Sequence, residues 1–169
     1  GLTTKTAGAG ESRKVSNGWS AQDPTPESIA EIQINPPTFG PETESSLEQG
    51  RGIIREDALG AFRRANAYFA VKNYGRAISD YTRAADLSPR TPEIFFNRAM
   101  ANEKAGRITK AIEDYTSAIE ADRQYLRAYS NRASLLWGQG ETGWALEDMK
   151  KAARLGLKPM QTYLKSKGI

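Results

Sequence analysis

The chain has 169 residues with no cysteine and no histidine, a mean hydropathy of -0.62 and a formal net charge of +4. These values exclude disulfides, thiolate nucleophiles and imidazole acid–base chemistry, and no run approaches the roughly 20 apolar residues of a membrane span. Residues 1–50 carry 3 − 7 = −4 and residues 51–169 carry 21 − 13 = +8, so an acidic segment precedes a basic one.

Residues 1–53 form the N-terminal arm, which is rich in proline, glycine, serine and threonine. It has too few large apolar residues to offset the entropy of ordering, so we expect mostly extended or disordered chain. The stretch PESIAEIQINPP is the part best suited to dock on another surface, and a plain solvated linker is equally compatible. The start at Gly1 and the acidic, proline-rich arm favour a periplasmic or exported protein, with a cytoplasmic one as the alternative.

From residue 54 onward, apolar residues recur at helical spacing in three blocks that align without a gap: 58–91, 92–125 and 126–159. Each block reads as two helices with a tight turn, at Lys72-Asn73, Ala105-Gly106 and Gln139-Gly140. Thr91-Pro92-Glu93 predicts a helix start. The strongest columns place the same residue type 34 residues apart: Arg64/Arg98/Arg132, Ala65/Ala99/Ala133, Ala77/Ala111/Ala145, Asp80/Asp114/Asp148 and Ala84/Ala118/Ala152.

The repeat resembles the tetratricopeptide repeat, a helix–turn–helix of this length. The segments YGRAISDYTRAADLSP, ITKAIEDYTSAIEAD and TGWALEDMKKAARLG carry the likeness, although Arg123 replaces the closing proline of the second block. The resemblance implies an all-α fold, a right-handed superhelix (an α-solenoid) of three repeats with a capping helix at about residues 159–167. It also implies a protein–protein interaction scaffold or adaptor.

The remaining motifs do not indicate an enzyme. The Arg and Asp columns predict ion pairs between helices. The glycines of Gly138–Gly143 follow a helix and not a strand, so they do not form a dinucleotide site. Because the sequence has no Walker motif, Ser/His pair or metal-ligand cluster, we expect no catalysis, no cofactor and no metal.

The resemblance implies that the first helix of each repeat lines a concave groove that binds peptides. Asn97 and Asn131 occupy the same groove-facing position, and Asn66 a neighbouring one. Amide side chains can hold a peptide main chain of any sequence, because they both donate and accept hydrogen bonds. We predict that these three bind main chain and that two cations favour acidic partners, while apolar residues pack side chains. The cations are Arg63 and Arg127. The apolar residues are Phe62, Phe69, Phe96, Met100 and Trp137.

Three alternatives remain open. Relatives that serve heat-shock chaperones grip a terminal carboxylate with two asparagines and three cations. Asn66, Asn97 and Arg127 match that pattern, but Phe62 and Asn131 stand where the other cations belong, which disfavours a receptor for an acidic C-terminal tail. The charge of +8 motivates an electrostatic nucleic-acid binder, which the alternation of cations with anions disfavours, so we expect no nucleic acid. Finally, the acidic arm can dock in the groove of its own or a neighbouring molecule.

Overall fold

The computed structural model describes residues 56–169, with side chains from residue 58 onward. The N-terminal arm and its predicted docking stretch lie outside these residues. The described part contains seven α-helices and no strand, and none of the helices is long and apolar enough to cross a bilayer. The helices are α1 (Glu56–Ala70), α2 (Tyr74–Leu87), α3 (Pro92–Lys104), α4 (Ile108–Ala121), α5 (Leu126–Gly138), α6 (Thr142–Arg154) and α7 (Lys158–Ser166).

These helices confirm the predicted all-α arrangement of three helix pairs and a capping helix. Each helix makes its main contacts with the helix before it and the helix after it in the chain, so the pairs form a stack. The turns inside the pairs lie at the predicted places and repeat the same backbone geometry. Lys72, Gly106 and Gly140, at equivalent positions, have φ of 60°, 75° and 83°. Glycine adopts this left-handed conformation freely, whereas a lysine does so at a cost of about 1 kcal/mol.

The start of α3 confirms the predicted signal and adds a detail. The helix begins at Pro92, whose fixed φ suits the first turn. Thr91 does not cap the helix through its side chain, because its hydroxyl lies 2.8 Å from Ser88 Oγ instead. At the start of α2, by contrast, Asn73 accepts a hydrogen bond from the backbone N–H of Arg76 at 3.3 Å.

Small residues at fixed positions let the helices of each pair approach closely. All nine alanines of the three predicted columns are 0 % exposed, which agrees with their role as packing contacts. Beside them, each pair buries one large side chain at an equivalent position: Tyr81, Tyr115 and Met149, also 0 % exposed. The repeated core is therefore built from the same combination of small and large residues three times.

The predicted ion pairs between helices are confirmed. They form an Arg–Asp ladder, with N–O distances of 2.6 Å for Arg64–Asp80, 2.6 Å for Arg98–Asp114 and 2.7 Å for Arg132–Asp148. Two of the arginines also reach the preceding pair. Arg98 Nη1 donates to Thr82 Oγ1 at 3.2 Å, and Arg132 Nη1 donates to Thr116 Oγ1 at 2.8 Å. The ladder therefore joins successive repeats as well as the two helices within each repeat.

Candidate functional site

The predicted peptide-binding residues lie on α1, α3 and α5, which together form what we call the first-helix face. Two contacts join these helices directly. Asn97 Nδ2 on α3 lies 3.5 Å from Asn66 Oδ1 on α1. The guanidinium carbon of Arg127 on α5 lies 4.9 Å from the ring centroid of Phe96 on α3. The face is therefore continuous across all three repeats.

Tyr81 of α2 supports the asparagine pair through a hydrogen bond to Asn66. Its hydroxyl donates to Asn66 Oδ1 at 2.7 Å. Burial raises the pKa of Tyr81, because a phenolate would be costly there, so the hydroxyl remains a donor at ordinary pH. Since both contacts to Asn66 use its oxygen, its amide Nδ2 is the part able to donate to a bound main chain.

Asn131 differs from Asn97 in its hydrogen-bond partner and not in being buried. Asn97 is 5 % exposed and Asn131 is 0 % exposed, and Asn131 Nδ2 donates to the hydroxyl of Tyr115 at 3.1 Å. Its Oδ1 is buried and has no hydrogen-bond partner among the described residues. Asn131 therefore lies beneath the first-helix face, and the contact of either buried asparagine with a peptide stays a prediction.

Glu103 is a polar residue of this face that the sequence reasoning missed. Its Oε2 accepts a hydrogen bond from the Tyr115 hydroxyl at 3.1 Å. Burial raises the pKa of Glu103, although the Tyr115 hydrogen bond and the charge of Lys104 act in the opposite direction. The repeat could have revealed it, because Glu103 lies 34 residues after Phe69 and 34 before Trp137, both assigned to the groove. The middle of the face therefore carries a carboxyl group where its neighbours carry aromatic rings.

The apolar residues assigned to the groove differ in depth. Phe62, Phe96 and Met100 are 1 %, 1 % and 3 % exposed and belong to the hydrophobic core. In this structure they support the face from behind, so their contact with a peptide also stays a prediction. Phe69 and Trp137 are only partly buried, so part of each ring is accessible to solvent. The cation Arg63 on α1 is exposed.

The comparisons with known proteins identify the repeat. The tetratricopeptide repeat family model matches residues 62–125. The second such domain of Spaghetti (RPAP3), bound to the HSP90 peptide SRMEEVD, is 30 % identical with a TM-score of 0.57. That likeness covers 59 % of this chain and 93 % of that one. This chain belongs to the tetratricopeptide repeat family.

Other tetratricopeptide repeat domains superpose similarly. The second domain of human RPAP3, in complex with the HSP70 peptide SGPTIEEVD, is 30 % identical with a TM-score of 0.59, covering 65 % of this chain and 93 % of that one. The Sgt2 domain from Aspergillus fumigatus is 26 % identical with a TM-score of 0.58, covering 66 % and 77 %. No curated protein gives a significant sequence match. The likeness supports the predicted right-handed tetratricopeptide repeat superhelix, a fold that serves as a scaffold for protein interactions.

The raised pKa of Glu103 predicts that Glu103→Gln stabilises the tetratricopeptide repeat domain at neutral pH. Glu103 holds its proton more tightly in the folded chain than in the unfolded one. Its contribution to stability is therefore complete below the unfolded pKa of about 4.3 and is lost as the pH rises through the higher folded pKa. The glutamine amide cannot ionise, and its oxygen can still accept from Tyr115. Urea denaturation between pH 4 and pH 8 measures the difference.

The matched control is Glu120→Gln, which makes the same substitution on the exposed side of α4 and should change the free energy of unfolding by less than about 0.5 kcal/mol. If Glu103→Gln and the wild type lose stability in parallel as the pH rises, the carboxyl group of Glu103 is not held in a costly environment.

Proposed function

We propose that the protein is a non-catalytic adaptor that binds an extended or short helical peptide segment of a partner protein along the first-helix face. The observation that carries this proposal is the Asn66–Asn97 pair, which spans two repeats at 3.5 Å and is held in place by the buried Tyr81. A prearranged pair of amides can bind main chain without a large ordering cost, because its side chains already have defined rotamers.

The other residues of the face set the preference for side chains and charge. We assign main-chain contacts to the asparagines, apolar contacts to Phe69 and Trp137, and the attraction of acidic residues to Arg63 and Arg127. Glu103 opposes a carboxylate at the centre of the face, so acidic residues of the peptide would lie towards α1 and the start of α5. The N-terminal arm, whose residues 1–50 carry a net charge of −4, is a potential competitor for the same face.

A second candidate is a receptor for an acidic C-terminal tail. It is supported by two neighbours at 30 % identity whose structures contain the peptides SRMEEVD and SGPTIEEVD. Asn66, Asn97 and Arg127 correspond to part of the clamp expected for such tails. Against it, a core phenylalanine, Phe62, and the buried Asn131 occupy the positions of the other two cations. We therefore expect any such tail to bind less tightly than a sequence selected for this groove.

Asn97→Ala should weaken peptide binding about tenfold, because one donor–acceptor pair to the main chain is lost. The probe is the tightest binder selected from a random peptide display library against the full chain, and isothermal titration calorimetry measures its affinity. The peptide SRMEEVD, with a free and with an amidated C-terminus, tests the second candidate in the same experiment. A preference for the free carboxylate would favour the tail receptor.

Asn73→Ser is the control variant. It removes an amide as Asn97→Ala does, although Asn73 is exposed and Asn97 is buried, and it keeps a side chain that can cap α2 in the turn after α1. Equal affinities for Asn97→Ala, Asn73→Ser and the wild type would contradict binding along the first-helix face. Circular dichroism of each variant shows whether a loss of affinity comes from unfolding.

A further inference from the structure

The positive charge of the helical part is concentrated at its C-terminal end. Residues 149–169 contain six lysines or arginines and no acidic residue, whereas residues 51–148 contain 15 cations and 13 anions. The arm has the opposite pattern, because residues 15–50 contain six acidic residues and no lysine or arginine. A segment of charge −6 therefore precedes the repeats, and a segment of charge +6 closes them.

The basic segment lines an open cavity between α6 and α7, with a volume of about 490 Å³. Gln161 Nε2 donates to the carbonyl oxygen of Ala153 at 2.7 Å, which ties α7 to α6 at this place. Ile169 in the lining is half-exposed, so an apolar partner that covered it would gain from the burial. The other apolar lining residues are Ala153 and Leu164, and the cations are Lys150, Arg154 and Lys165.

Two of these cations have unused charge. Lys150 pairs with Glu147 at 3.3 Å. Arg154 and Lys165 are exposed and form no ion pair with any residue between positions 56 and 169. An apolar cavity with two uncompensated cations at its rim suits a segment in which apolar and acidic side chains are close together.

We propose that this cavity, which we call the α6–α7 pocket, binds the stretch Glu27–Ile34 from the arm of the same chain. The stretch has the required chemistry, since Ile29, Ile32 and Ile34 are interspersed with Glu27 and Glu31. The other acidic residues of the arm add long-range attraction to the basic end. This contact is distinct from peptide binding on the first-helix face and does not depend on it.

The distance across the stack can be counted in helices. The first helices of successive repeats are direct neighbours, since α1 contacts α3 and α3 contacts α5. Because α7 packs on α6 as α5 packs on α4, it takes the place of a fourth first helix. Three steps between neighbouring helices amount to about 27 Å at the usual interaxial distances. The short turn after α5 makes α6 antiparallel to it, so the C-terminal end of α6 lies at the same end of the stack as the start of α1.

The length of the linker matches this distance. The chain from Ile34 to Glu56 spans 56 − 34 = 22 residues, with a root-mean-square length of about 25 Å when flexible. The effective concentration of a tethered segment is highest when these two lengths agree, and it is then on the order of millimolar. The arm of a second copy would have to approach that concentration to compete. Reach therefore favours docking within one molecule.

Charge favours the α6–α7 pocket over the first-helix face as the place where the stretch docks. On that face, Arg127 already packs on the ring of Phe96. The carboxyl group of Glu103, on the middle helix of the face, would repel the acidic residues of the stretch. The lining of the pocket, by contrast, contains three cations and no acidic side chain. The docked arm would therefore leave the first-helix face available to a partner.

A paramagnetic label on the arm of the full chain measures the contact. The chain has no cysteine, so Thr25→Cys places a single spin label two residues before the stretch. The labelled, ¹⁵N-enriched chain is mixed with an excess of unlabelled chain without enrichment, which dilutes any contact between labelled molecules. We expect broadening of the amide signals of Ala153, Gln161 and Lys165 in this mixture. It should be strong at about 0.01 M salt and weak at about 1 M, where the screening lengths are about 30 Å and 3 Å.

Charge reversal at the pocket should release the arm. Arg154→Glu with Lys165→Glu, the pocket variant, should lower the ratio of docked to free arm about tenfold, as measured by the extra relaxation of these amides. The control, Arg83→Glu with Arg90→Glu, changes the net charge equally on exposed positions of the first repeat and should leave the arm docked.

Two variants of the stretch test its two kinds of contact. Glu27→Lys with Glu31→Lys, added to the pocket variant, should restore docking because both signs of charge are exchanged. Ile29→Ser with Ile32→Ser leaves every charge in place and should lower the ratio of docked to free arm about tenfold, because less apolar surface is buried.

Four results would overturn the proposal. They are the absence of broadening at low salt, broadening that is lost on dilution with unlabelled chain, broadening centred on Asn97 and Trp137, and broadening that survives either the pocket variant or the isoleucine variant. Loss on dilution would assign the pocket to a second copy. Binding of a short single-stranded DNA or of anionic phospholipid vesicles at the basic end, in a chain whose arm broadens no signal there, would assign it to those ligands.

Discussion

Arg98→Met should lower the free energy of unfolding by about 3 kcal/mol, because it leaves a buried carboxylate without its cation. The side chain of Asp114 is only 9 % exposed, and Arg98 supplies hydrogen bonds to both of its oxygens. After the substitution, Asn102 Nδ2 at 2.9 Å is the remaining donor to this carboxylate, and Thr82 loses its contact with α3. Methionine keeps most of the apolar stem of arginine, so the loss reports the charge and the hydrogen bonds. Urea denaturation with a tertiary fluorescence signal measures it.

Arg64→Met is the matched control within the same ladder. Arg64 makes an equivalent pair with Asp80, but its side chain is 51 % exposed, whereas that of Arg98 is 19 % exposed. Water can solvate the carboxylate of Asp80 better once its partner is removed, so we expect a much smaller loss of stability. Equal losses at the two positions would show that burial does not decide the strength of these pairs.

Phe96→Ala should be the most destabilising truncation on the first-helix face, with a loss of about 4 kcal/mol. The ring is 1 % exposed and lies 5.5 Å from Tyr115 and 5.4 Å from Tyr125, measured between ring centroids. It also supports the guanidinium group of Arg127. Since a domain of this size is stable by about 5–15 kcal/mol, the variant should remain folded with little margin. Thermal and urea denaturation together measure the loss.

Phe69→Ala removes the same ring from a partly exposed position and should cost clearly less. The comparison also distinguishes two roles for Phe96. If Phe96→Ala abolished peptide binding while stability stayed at the wild-type value, the ring would be a peptide contact and not a core residue. We expect a loss of stability first, with weaker binding as a consequence of the displaced Arg127.

The repeat made much of the fold predictable from the sequence. A period of 34 residues assigns each position to a helix face, so the alanine columns and the Arg–Asp ladder could be predicted without coordinates. The depth of a side chain below a face cannot be obtained in this way, because it depends on the neighbouring helices. Phe96 and Phe69 were both assigned to the groove, and only the packing of α4 and α5 around Phe96 separates them.

The two asparagines in register show why the candidate site was harder to predict. Asn97 meets the oxygen of Asn66, but the position equivalent to Asn66 in the next repeat is Met100, which offers no comparable acceptor. Asn131 therefore bonds to the hydroxyl of Tyr115, which itself donates to Glu103. The difference between Asn66 and Met100 thus changes the hydrogen-bond partners of Asn131, Tyr115 and Glu103 relative to the first repeat. Each column of the repeat, read separately, does not predict these partners.

Arg98 and Arg132, which each donate to the repeat before their own, would allow a second copy of the middle repeat to be inserted into the stack. Arg98 on α3 donates to Thr82 of the repeat before it, and Thr116 on α4 accepts from Arg132 of the repeat after it. A chain in which residues 92–125 are duplicated would place the second Arg98 against the first Thr116, so the new junction would use pairings that already exist. The first-helix face could then be lengthened one repeat at a time without designing a new interface. The junction of α6 and α7 lacks this property, because Lys150 and Ser166 occupy the equivalent positions of threonine and arginine.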